Sequence, residues 1–206
     1  IKFNEECNRI VSKFTFGFDS FWKSRMDICK EYFERNQNLL DKYFQIIYDE
    51  VHKIGPLDVK ENIEVCGLFG LGVNSRSGYD YIFLKEGHIN CDINKFLQLI
   101  VHEYAGHSYH EENSNMEKVF GKFSYIADEG LAKVVSDKIV SLIPGIETIR
   151  CHNHDEPIEI SYQVYENNWQ KLDKGQSFEE WHKDCLLEIK EIYDSKEIDY
   201  FIYRGK

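Results

Sequence analysis

His102 and His107 stand five positions apart, with Glu103 directly after the first, in the run His102-Glu103-Tyr104-Ala105-Gly106-His107. Imidazole nitrogens are ready zinc ligands, and a carboxylate beside them can take a proton from water. Held together on one helix, these groups are the metal-binding and general-base set of metal-assisted hydrolysis. At this composition chance would produce roughly 0.03 copies of the pattern in the chain, which makes it a moderately specific signal. The competing reading is a polar helix end whose histidines are solvated or locally hydrogen-bonded.

The spacing imposes a structural demand. On a regular α-helix each residue turns about 100°, so positions i and i+5 lie about 140° apart and cannot grip one ion. One extra residue absorbed as a π-bulge restores the alignment, and such bulges concentrate at functional sites. Gly106, just before His107, is where distorted backbone costs least. His110, three residues further on, is the alternative second ligand if the helix runs differently.

A hydrolytic zinc takes three protein ligands and leaves a fourth position open. The run Asp128-Glu129-Gly130-Leu131-Ala132 offers the third. Glu129 lies 22 positions beyond His107, enough for a loop and an antiparallel helix that returns the carboxylate to the histidines. Asp128 is the rival ligand, or an acceptor for the outer N–H of a ligand imidazole. An acid near a helix start also has a simpler use, favourable interaction with the helix dipole. One Zn2+ per chain on His102, His107 and Glu129 is the expected arrangement, with Glu103 as general base.

Other polar clusters carry less weight. Cys151-His152-Asn153-His154-Asp155 contains metal-capable side chains but has no second cluster to complete it. Tyr162 and Tyr165 are candidates for donating to an oxyanion, and their spacing fits core packing equally well.

The elements that must position these groups follow from periodicity. Helical patterns cover 5–14, 18–33 and 36–54, ending at Gly55-Pro56. Their aromatic stripe reads as core. The period changes at 63–69 and 79–84, which read as two strands joined by the turn-rich 72–78. The edge of such a sheet could hold an extended peptide across the metal, or the strands could form a plain hairpin covering the helix. Asp92 is placed to cap the motif helix from Ile93. Helices are expected again over 123–140, 158–170 and 178–193.

With the strands in place, His-Glu-Tyr-Ala-Gly-His followed by Glu-Gly-Leu-Ala resembles the gluzincin metallopeptidases, which use two histidines and a downstream glutamate. The longer spacing is similar to that of the dipeptidyl peptidase III family. The surroundings resemble a bacterial family of uncharacterised zinc-dependent proteases, with a glycine-containing strand region before the His-Glu-Tyr helix. That likeness covers roughly residues 63–139 and departs from the bacterial family by the extra residue before His107. It implies an α+β, mostly helical zincin-like domain with a small antiparallel sheet preceding the metal-binding helix. The implied activity is zinc-dependent peptide-bond hydrolysis on a peptide or protein substrate. The alternative is a non-catalytic, degenerate peptidase-like domain that binds metal or another protein.

Composition frames both readings. A chain of 206 residues, 42% hydrophobic and 15% aromatic, is enough for one domain with a sizeable core, here 1–206. Within it, 1–56 forms a helical part, 63–140 the strands and motif helices, and 158–193 the C-terminal helices. A net charge of −11 argues against nucleic acid as partner. No apolar run is long enough for a transmembrane segment. The six cysteines are widely spaced with no C-x-x-C pair, which favours reduced thiols and the cytoplasm. Because the chain begins with Ile1, a leader or lipid anchor upstream is left open.

Overall fold

The computed structural model describes residues 34–55, 64–68, 76–77, 81–85, 92–106, 123–148 and 156–198, with helical backbone also at 23, 24, 27, 30 and 31. Helix α1 runs over 34–54 and buries Tyr43, Ile47 and Val51, which recur every fourth residue and form one stripe. Three short strands follow: β1 (Glu64–Leu68), β2 (Arg76–Ser77) and β3 (Tyr81–Lys85). Helix α2 (Ile93–Val101) continues without a break into a π-helical turn at His102–Gly106. Helices α3 (Phe123–Ser141), α4 (Glu156–Asp173) and α5 (Phe178–Ser195) complete the order.

The described residues are mostly helical, and the expected α+β class with a small antiparallel sheet is corrected on that point. The two main strands do not make an antiparallel hairpin. Strand β1 pairs with β3 in parallel, Glu64 opposite Tyr81 and Leu68 opposite Lys85. Two-residue β2 pairs antiparallel on the other side of β3, giving the order β1-β3-β2. The physical reason lies in the connection. A tight turn would return the chain antiparallel, whereas parallel pairing needs a crossover of about a dozen residues. The segment between Leu68 and Tyr81 is of that length and carries β2 on the way to β3.

Helix α2 starts where Asp92 caps it. The Asp92 carboxylate accepts from the backbone N–H groups of Asn94 and Lys95 at 3.0 and 3.2 Å. From there Phe96 to Val101 are all buried, so this helix runs through the middle of the core. Each large apolar side chain buried in this way contributes about 1.5–3 kcal/mol. Helix α3 is also surrounded, burying Ile126, Leu131, Val134, Val135 and Ile139.

Helices α2 and α3 run antiparallel, since Gln98 meets Asp137 while His102 meets Glu129. Helix α4 closes on a left-handed Gly175 with φ 94°, and the N–H of Gln176 reaches the carbonyl of Lys171 at 3.1 Å. Ser177 then caps α5, accepting from the N–H of Glu180 and donating to its carboxylate. Trp181 is fully buried beneath these helices, with its indole N–H donating to the carbonyl of Asn168. Among the described residues no helix is long and apolar enough to cross a membrane.

Candidate active site

The π turn occupies the five residues from His102 to Gly106, where the histidine spacing requires it. A π-helix repeats at i→i+5, which is the separation of His102 and His107. The turn is packed on one side by α1, whose Phe44 ring lies 5.4 Å from that of Tyr104. Tyr104 is buried, and burial together with the neighbouring Tyr48 raises its phenol well above the ordinary range.

On the other side the turn faces α3. Nε2 of His102 lies 3.6 Å from Oε2 of Glu129. That is too long for a hydrogen bond. It matches two ligands of one ion: with zinc–donor distances of about 2.0–2.2 Å and tetrahedral angles, the donor atoms stand about 3.3–3.6 Å apart. The donor set therefore fits zinc at the two positions the structure describes. His107, His110 and the 151–155 cluster lie outside the described residues, as do the expected helix at 5–14 and much of that at 18–33. Among the described residues no three His, Cys, Asp or Glu side chains form a metal-holding group.

Glu103 is buried next to this pair, at 6% exposure. Burial pushes its carboxyl up to about 7, with His102 opposing the shift and Glu129 adding to it. In the metal-free chain this carboxyl therefore changes protonation near neutral pH, beside a histidine and a second glutamate. Asp128 is buried as well, and its charge is felt by the phenol of Tyr165.

Tyr162 and Tyr165, the candidate oxyanion donors, have structural settings. Tyr165 is fully buried, and its hydroxyl lies 3.2 Å from Nδ1 of His182. Burial, with the carboxylates of Asp137 and Glu166 beside it, raises the phenol of Tyr162. Beside it lies a cluster that sequence reasoning missed. Lys133 is buried with its ammonium 3.5 Å from the centre of the Tyr162 ring, and Asp137 accepts from Gln98 of α2. A signal for it exists in the sequence: Glu129, Lys133 and Asp137 are spaced by four and so share one face of α3. Gln98 is tied to that face across 39 positions, which no local pattern reveals.

Gly130 holds α3 close to α4. A Cβ there would stand 2.5 Å from Cβ of Ser161 and 2.7 Å from the backbone nitrogen of Tyr162. The glycine beside Glu129 is therefore a packing requirement. No protein-family model, curated protein or solved structure matches this chain.

Proposed function

We propose that this chain is a zinc-dependent peptide hydrolase, with His102, His107 and Glu129 as metal ligands and Glu103 as general base. The observation that carries the proposal is the 3.6 Å approach of His102 to Glu129, from two different helices, with Glu103 buried alongside. The π turn supports His107 as the second ligand, because it supplies the i→i+5 repeat that an α-helix lacks.

Zinc at such a site supplies a Lewis acid that lowers the pKa of bound water to about 7 and polarises a carbonyl. The chain's own groups do the rest. Glu103 follows a ligand directly, so its carboxylate stays beside the site; there it takes the proton of the attacking water and hands it to the leaving amine. Its burial keeps competing solvent away from the transferred proton. His102 is held in place by its own helix, its backbone N–H bonded to the carbonyls of Gln98 and Leu99. Glu129 is fixed by the packing of α3. Outer strand β2 lies against the π turn, and an extended peptide added to that edge would run beside the site.

The test is Glu103→Gln, which keeps size and polarity and removes the proton acceptor. Zinc content should stay at the wild-type level while hydrolysis of a broad peptide panel falls roughly 10²–10⁴-fold. Loss of zinc in this variant would make Glu103 a ligand. Zinc binding without turnover by the wild-type protein would instead indicate a degenerate, non-catalytic peptidase-like domain.

A further inference from the structure

We infer that the crossing of α3 on α4 at Gly130 and Ser161 sets the distance at which Glu129 stands from His102, so that both are positioning residues for the zinc site. The inference rests on the zinc reading above and adds a mechanical frame to it.

The geometry at the crossing leaves no slack. Besides the Ser161 side chain, a Cβ on Gly130 would meet two backbone atoms, the nitrogen of Tyr162 at 2.7 Å and the carbonyl carbon of Ser161 at 2.9 Å. Backbone cannot turn aside as a side-chain tip can.

Helix α4 is also braced from behind. The Ser161 hydroxyl donates to the carbonyl of Pro157 at 3.1 Å and lies 3.0 Å from the hydroxyl of Tyr193 on α5. Tyr193 itself donates to the same Pro157 carbonyl, and both Ser161 and Tyr193 are fully buried. With α4 fixed by α5, an added methyl at residue 130 moves α3. Restoring ordinary van der Waals contact from 2.5 Å needs a displacement of roughly 1 Å. Glu129 is the adjacent residue on the same rigid helix and moves with it. A shift of roughly 1 Å is large against the 3.6 Å at which Glu129 stands from His102. The C-terminal helices, which carry no ligand of their own, thus act as the backstop for the third ligand.

The experiment measures zinc affinity of the full chain by competition with a chromophoric chelator, under conditions where every variant is folded. Gly130→Ala should weaken zinc roughly 10–100-fold, the range seen when supports of a metal ligand are altered. Ser161→Thr keeps the hydroxyl and adds one methyl from the opposite helix; it should act in the same direction at roughly 3–10-fold. Trp181→Phe, fully buried at the far end of α5 from Tyr193, is the control for instability alone and should leave zinc affinity within about 3-fold while lowering the melting temperature. Wild-type zinc affinity in Gly130→Ala overturns the inference, as does an equal loss in Trp181→Phe. If Gly130→Ala does not fold, Ser161→Thr decides alone, and wild-type affinity there is the negative result. A wild-type protein that binds no zinc overturns the site reading as well, whereas a zinc-binding wild type with unaffected variants overturns only the positioning role.

Discussion

Glu103→Gln should make the metal-free protein more stable at neutral and alkaline pH, and the size of the gain follows from the burial of one carboxyl. In the folded chain the Glu103 carboxyl is pushed from 4.5 to about 7, chiefly by burial. An acid whose folded pKa is raised contributes stability that is fully present below its unfolded pKa and is lost as pH rises through the folded value. The loss therefore develops between 4.5 and about 7 and amounts to about 3 kcal/mol once the group is ionised in both states. A glutamine of the same shape never ionises. With a chelator present, denaturant unfolding of the two proteins should give closely matching stabilities near pH 4.5. By about pH 8 the variant should be ahead by up to about 3 kcal/mol. A difference that stays flat over that interval would refute the burial of Glu103 against Glu129. A variant less stable at pH 8 would show instead that the ionised carboxylate is held by a favourable partner.

His182 should act in the opposite sense. Burial lowers its imidazole to about 4, so it contributes stability that is present above 6.5 and lost as pH falls to about 4. His182→Gln should therefore gain about 3 kcal/mol relative to wild type between pH 7 and pH 4, measured by unfolding, and a constant difference would contradict the assignment. Asp92→Ala removes the cap of the motif helix and should cost about 1 kcal/mol of stability, with Asp92→Asn nearly neutral. His107→Ala should abolish stoichiometric zinc while His110→Ala keeps it; the reverse pattern in metal analysis would transfer the second ligand to His110.

How much of this was legible in the sequence depends on the range of the interaction. The cap at Asp92 and the helix it starts are local, and a side-chain acceptor before an apolar run is enough to find them. The π turn was legible for a different reason: a five-residue interval between histidines is incompatible with a common ligand on an α-helix, so the chemistry itself asked for the bulge. The strands were visible as extended segments, but alternation carries no information about the partner's direction, and the parallel pairing of β1 with β3 emerged only in three dimensions. Distance in the chain hid the rest. Gly130 in Glu-Gly-Leu-Ala reads as a weak point in a helix until Ser161 and Tyr162 are seen pressed against it. Lys133, Asp137 and Gln98 looked like ordinary polar positions, since their link depends on the antiparallel passage of α2 along α3. Tyr162 and Tyr165 had two equally good readings at the level of spacing, and the structure gives both of them partners within the fold.

The most direct test of the central claim is elemental analysis of the purified protein alongside His102→Ala and Glu129→Gln. The two proposed ligands come from two helices and stand 3.6 Å apart, so neither alone would hold an ion tightly. The expected result is one zinc per chain in the wild type and a large loss in both variants, with helical content unchanged by circular dichroism. A wild type free of zinc after loading, or His102→Ala with a full equivalent of zinc, would contradict the assignment of this site.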